Sequence, residues 1–385
     1  MIYLDNAATT KIYNECIDEM LPYFAEAFYN PGANYTMAVN TLRKVEEVEA
    51  NILKILGQGS SRGKIIFSSG ASEANNQAII GYLRANKEKG KHVIVSSMEH
   101  HSVLNAVKAM EKEGFEISYI YPDKDGTINP LSVSKAIRPD TILVSVMYVN
   151  NEIGTVSNIK EIVDSVRKNS NGKYIAVHTD AVQAVGYMDI NVGDLDVDML
   201  TASAHKFRGP KGVGFLFVKD KIKLAPIIFG GSQQNNLRAG TLNVPGIIGM
   251  EKALSLSSNK INENVGKFNF LRKLLLDEIM KKTEGVYING STEKTFSKIV
   301  SLRIDDVDAT RLQSALDHEK VMVGIGATCT DSYRDISHVL KAIGLNEKEA
   351  KSTIRISFAD YNTEKEVLEA AGIINEKVQF LRRFI

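Results

Sequence analysis

Cysteine is scarce in this chain. Two occur in 385 residues, Cys16 and Cys329, which excludes a disulfide framework. Neither charge is in excess: 47 Lys and Arg against 46 Asp and Glu leave a formal net charge of +1. That balance gives no whole-chain reason to expect nucleic acid or an anionic membrane as a partner. Long hydrophobic runs are also missing. Residues 142–149, broken only by Ser145, form one of the longest, far short of the roughly 18 a membrane span requires. The opening residues show no basic stretch followed by an apolar one, so no secretory leader is expected. There is no Pro-rich linker, internal repeat or low-complexity tract. What is present is ordinary for a globular protein: 44% hydrophobic and 24% charged residues, too apolar for disorder. At about 150 residues per domain the length suggests two or three domains, in a reduced, cytoplasmic protein.

Apolar runs at 65–67, 92–96, 117–121, 141–147, 174–177, 199–202 and 213–218 read as strands. Most are continuously apolar, which suits strands covered on both faces. Helix-period segments lie between them, at about 37–56, 72–86 and 158–167. Strand–helix alternation of this kind predicts a largely parallel sheet and an α/β fold. After about residue 250 the pattern changes. A long amphipathic helix at 265–282 leads into strands near 286–288, 299–304 and 353–357, with helices near 309–318 and from 363 onward. This predicts a smaller α+β domain.

Polar residues gather after the predicted strands. Ser203-Ala204-His205-Lys206 opens a glycine-rich turn, and a lysine amine is what condensation with a carbonyl requires. By itself the segment reads slightly better as a polar surface hairpin with solvated lysines. Asp180 stands near the end of another strand, where open α/β sheets bind ligands. A carboxylate there keeps a pyridine nitrogen protonated, with Gln183 three residues on; helix capping is the ordinary alternative. Phe67 to Glu73 reads as strand, small-residue turn and helix N-terminus, which favours a phosphate. Glu99-His100-His101 and Asn150-Asn151-Glu152 follow two further strands, without zinc-ligand spacing; no metal site is expected. Five strand ends offering polar residues in turn favour a shared site.

In order along the chain, these segments resemble the cysteine desulfurases, pyridoxal-phosphate enzymes of the class V aminotransferase group. The resemblance covers nearly the whole length. It begins at Tyr3-Leu4-Asp5-Asn6-Ala7-Ala8-Thr9-Thr10 and takes in the turn ending at Glu73, Glu99-His100, and Val149-Asn150-Asn151-Glu152-Ile153-Gly154. It continues through Asp180-Ala181-Val182-Gln183, Ser203 to Lys206 and Arg238-Ala239-Gly240-Thr241. It ends with the Cys329 loop, Ser337-His338-Val339-Leu340 and Thr353-Ile354-Arg355-Ile356-Ser357. It implies the fold-type-I pyridoxal-phosphate transferase architecture. Residues 15–250 would form the large cofactor domain. Residues 1–14 and 251–385 would form the small domain, carrying a cysteine loop at about 324–336.

The resemblance also implies roles. Lys206 would form the Schiff base and shuttle the Cα proton, Asp180 would pair with the pyridinium nitrogen, and Gln183 would bond the ring hydroxyl. His100 would stack on the ring and assist proton transfer. Ala71, Ser72, Ser203 and His205 would cradle the phosphate, with Thr241 reaching in from the partner of a homodimer. Asn151 and Arg355 would hold the substrate carboxylate, a task that suits a planar guanidinium fork. Cys329 would attack the sulfur of bound L-cysteine, while Cys16, in a helix-like stretch at 12–23, reads as packing or surface filler. The expected reaction turns L-cysteine into L-alanine and leaves a persulfide for a sulfur-acceptor protein, in iron–sulfur cluster assembly, transfer-RNA thiolation or a cofactor pathway. Selenocysteine lyase, another C–S lyase or a transaminase is the nearest alternative. A catalytically weak scaffold that binds a sulfur acceptor is the next. Tyr35 and Tyr148 stand where histidines are usual, Gly-Ala-Thr precedes the cysteine, and Asp360 closes a stretch that commonly ends in arginine.

Overall fold

The computed structural model describes residues 1–57, 59, 62–326 and 336–384. Its strands are β1 (Ile2–Tyr3), β2 (Gly63–Ser68), β3 (His92–Ser96), β4 (Glu116–Ile120), β5 (Thr141–Ser145), β6 (Ala176–Asp180) and β7 (Met199–Ser203). They continue with β8 (Gly214–Lys219), β9 (Val286–Asn289), β10 (Ile299–Ile304), β11 (Val321–Met322), β12 (Gly324–Ile325) and β13 (Thr353–Ser357).

Seven of these form the main sheet, in the order β2-β8-β7-β6-β5-β3-β4. Every neighbouring pair is parallel except the two that involve β8. The reversal follows from chain length. Only ten residues, 204–213, connect β7 to β8, too few for a crossover helix. Residues of β3, β5, β6, β7 and β8 are buried throughout. Burying Phe215 and Phe217, both 0% exposed, contributes about 1.5–3 kcal/mol each.

The expected strand at 174–177 lies later, at Ala176–Asp180. Its second half, His178-Thr179-Asp180, is polar yet buried. His178 is satisfied by Ser145 Oγ at 2.9 Å and Thr201 Oγ1 at 3.1 Å on the two flanking strands. The expected helix at 72–86 is continuous but contains a π-turn at Gln77–Gly81. The stretch at 12–23 is broken into Asn14–Met20 and Pro22–Ala25, with proline opening the second piece. The helix expected at 37–56 spans Thr36–Ile55 and turns Val45, Val48 and Ile52 inward.

A second, antiparallel sheet has the order β12-β13-β10-β9. The C-terminal helix Glu364–Arg382 starts with a capping box between Thr363 and Glu366. The chain's first residues join this part of the molecule: β1 pairs in parallel with β11, and Asp5 bridges to Ser357. The segment that follows β1 then crosses the carboxyl ends of the main-sheet strands.

Candidate active site

A cavity of about 650 Å³ opens at those strand ends. The strands deliver these residues at or just after their carboxyl ends. After β2 come Ser69 to Glu73, after β3 His100, after β5 Met147 and Asn151. After β6 come Val182 and Gln183 beside Asp180, the last residue of the strand, and Ser203 likewise ends β7 ahead of His205 and Lys206. Arg355 reaches the cavity from β13, and Ala7, Ala8 and Thr9 line it from the N-terminal segment. This is the crevice position in which open α/β sheets bind ligands.

The structure therefore brings together Lys206, His100, Asp180, Gln183, Ala71, Ser72, Ser203, His205, Asn151 and Arg355. Thr241 lies elsewhere. It is exposed and lines a separate cleft of about 110 Å³ with Arg238 and Ser69. Arg238 in that segment pairs with Glu73 of its own chain, Nε to Oε1, at 2.8 Å. Cys329, with residues 327–335 of the expected cysteine loop, lies outside the described residues.

Lys206 Nζ donates to the carbonyls of Ala7 and Ala8, both at 2.7 Å. Gln183 Nε2 donates to the Ala7 carbonyl at 3.0 Å, while Gln183 Oε1 is buried with no hydrogen-bond partner among the described residues. Asp180 accepts from the Val182 amide at 3.0 Å and from Asn75 Nδ2 at 2.8 Å, leaving acceptor capacity on both oxygens. Burial depresses the His100 pKa, with Lys206, His101 and His338 adding to the effect and Asp180 opposing it. Burial and the nearby Lys206, Lys211 and Lys298 amines push His205 down to about 3, so it is a neutral imidazole beside Thr9 Oγ1 at 3.1 Å. Glu99, fully buried, is held well above the usual carboxylate range by desolvation and by the Asp180 charge. Asp180 and Glu73 thus line the cavity, while the desolvated Glu99 lies buried outside its lining.

Along the rim the chain is built for close approach. Gly70 has φ +149°, and a Cβ on Gly214 would stand 2.9 Å from the Gly70 Cα and 2.6 Å from the Ala202 carbonyl oxygen. The helix that begins at Ala71 sets Ala71 and Ser72 in the cavity lining with Ser203 and His205, and a helix N-terminus favours a phosphate.

Pyridoxal phosphate fits this donor set. An amine, a carboxylate with spare acceptor capacity, an orphaned amide oxygen, a flat imidazole and an anion seat face one cavity. Asp180 would hold the pyridine nitrogen, Gln183 the ring hydroxyl and Lys206 the aldehyde carbon. The residues that sequence reasoning missed are Ala7, Ala8, Asn75 and Asp5. The first two act through backbone carbonyls, which leave no side-chain signature. Asn75 lies within the helix expected at 72–86, where nothing local points to its bond with Asp180.

The family model for aminotransferase class V matches residues 2–369. A cysteine desulfurase, IscS, of Dictyoglomus turgidum is 40% identical over 381 residues, covering 99% of this chain and 95% of the relative. Among solved structures, a NifS-like protein superposes with a TM-score of 0.91 at 31% identity, covering 98% of this chain and 99% of the other. SspA in complex with cysteine gives a TM-score of 0.81 at 33% identity, covering 94% and 100%.

Proposed function

From the premise that the chain belongs to the class-V aminotransferase family and is one of its pyridoxal-phosphate-dependent cysteine desulfurases, we propose the following roles for its residues. The observation that carries the reading is the cavity in which Lys206, Asp180, Gln183, His100 and Arg355 converge. When bound, the cofactor supplies an electron-accepting ring that stabilises the carbanion left by loss of the substrate's Cα proton. Lys206 holds and returns that proton at Nζ, which its two backbone acceptors keep at the cavity wall. Asp180 keeps the ring nitrogen protonated, and Arg355 and Asn151 orient the substrate carboxylate. The Cys329 thiolate attacks the sulfur of bound L-cysteine: an S–S bond forms, the Cβ–S bond breaks, and the Cβ carbon takes a proton. L-cysteine and the enzyme thiol thus become L-alanine and the enzyme persulfide, which passes its outer sulfur to an acceptor protein. We assign that acceptor to iron–sulfur cluster assembly.

The working unit is read as a cytoplasmic homodimer in which Thr241 serves the partner's phosphate seat. One protomer leaves Leu21, Phe24, Phe28, Tyr35 and Met37 exposed within 17 residues of sequence, and apolar surface of that kind marks an interface. Residues 15–250 are assigned to the large unit and 1–14 with 251–385 to the small one, on the support of the β1–β11 pairing and the second sheet.

The test is direct. Purified protein given L-cysteine should yield alanine and protein-bound sulfur, and borohydride should fix the cofactor to Lys206. Pyruvate as the sole product, or label on Lys211, would reject these assignments.

A further inference from the structure

A hydrogen-bonded chain lies behind the cavity wall and joins its two ends. Asn75 Nδ2 donates to Asp180 Oδ2 at 2.8 Å and to Ser102 Oγ at 2.8 Å. Ser102 Oγ stands 2.8 Å from His100 Nδ1, and the Ser102 backbone N–H donates to the same nitrogen at 3.1 Å. Asn75 is 0% exposed, and its Oδ1 has no partner among the described residues.

The donors settle the proton positions. A backbone N–H only donates, so His100 Nδ1 is an acceptor and the ring proton of the neutral imidazole sits on Nε2. The Asn75 amide is fixed as well. Turning it over would set Oδ1 against the Asp180 carboxylate and lose both donations. With Asn75 occupying a lone pair of Ser102 Oγ, the Ser102 hydroxyl proton goes to His100 Nδ1. A buried amide oxygen with no partner among the described residues is costly, and a purely structural position would avoid that cost by carrying an apolar residue.

We infer that Asn75 and Ser102 are positioning residues: one buried amide holds the Asp180 carboxylate and, through the Ser102 hydroxyl, reinforces the backbone N–H in keeping His100 in the Nε2–H tautomer. This rests on the proposed roles of Asp180 and His100. It puts the His100 ring proton on Nε2 and leaves Cα proton removal to Lys206. It also places Asp180 and His100 under one control, so that moving either displaces the other.

The test uses holoenzyme carrying ¹⁵N-labelled histidine, with the His100 signals assigned by their loss in His100→Gln. Wild type should show a protonated Nε2 and an unprotonated Nδ1. Asn75→Ala and Ser102→Ala should each move a measurable share of His100 to the Nδ1–H form. Both should lower kcat for alanine formation roughly tenfold while KM for L-cysteine stays within about twofold; Ser102→Thr should restore both. A wild-type Nδ1–H signature overturns the inference. So do variants that lose thermal stability while His100 stays wholly Nε2–H and kcat is unchanged. Absence of alanine with the Nε2–H signature intact counts against the desulfurase reading alone.

Discussion

Arg355 Nη2 donates to Asp5 Oδ1 at 2.7 Å, joining the last strand of the small sheet to the N-terminal segment. Nη1 of the same guanidinium donates to the Asn151 carbonyl at 3.0 Å, while Nε is buried without a partner among the described residues. Gly324 permits the pairing, because a Cβ there would stand 2.8 Å from Asp5 Oδ1 and 2.9 Å from Arg355 Nη2. The fork is held from two sides and keeps a donor in reserve.

Arg355→Lys keeps the charge and loses the fork. KM for L-cysteine should rise roughly tenfold, the equivalent of about 1.4 kcal/mol, with the visible spectrum of the resting enzyme unchanged. Initial rates across a range of cysteine concentrations check it; unchanged KM would remove Arg355 from the substrate site.

Thr241 tests the dimer. It lines a cleft apart from its own chain's cavity, so a role at a phosphate requires a second copy. Thr241→Ala should weaken cofactor retention roughly tenfold, about 1.4 kcal/mol, without loss of the dimer, measured by dialysis and by sedimentation. A fully active monomer would count against it.

Acid stability should track the buried histidines. Desolvation holds His178 down at about 3 in the fold, against about 6.5 in the unfolded chain. Between those values the unfolded state binds the extra proton. The contribution of His178 is therefore complete above about pH 6.5 and is lost as pH falls toward 3. Glu99 and Glu152, whose pKa values are raised by burial, act in the opposite sense, so the comparison is with a variant. His178→Asn should lower Tm at pH 7 yet flatten its decline between pH 6.5 and 4. A decline as steep as that of wild type would exclude His178 as a source.

The strands of the main sheet were legible because continuous apolar runs need only be counted, and the site was legible because its side chains follow those runs. The second half of β6 was not, since His178 and Thr179 carry no apolar signature and are buried through partners on other strands. The hold of Asn75 on Asp180 spans 105 positions, and no local pattern encodes it. Nor did the sequence reveal that Ala7 and Ala8 seat the Lys206 amine, because every residue but for its side chain offers the same carbonyl.

The two cysteines can be separated by physical state. Cys16 sits on the inner face of the helix Asn14–Met20 at 0% exposure. Burial, with Glu15 and Glu19 adding to it against Lys252 and Arg208, pushes its thiol up to about 12. A thiol in that state forms almost no thiolate at neutral pH and reaches no substrate. A nucleophilic thiol supplied by the chain must then be Cys329, the other cysteine of the sequence. Cys329→Ser should retain cofactor and cysteine binding but lose protein-bound sulfur and nearly all alanine, because a hydroxyl is a far poorer nucleophile toward sulfur. Cys16→Ser should keep turnover and lower Tm, since it places a hydroxyl in an apolar setting. Measuring alanine, bound sulfur and Tm in both variants decides the matter. Persistent desulfuration in Cys329→Ser would replace the persulfide route with direct release of sulfide, and the thiol would need another role.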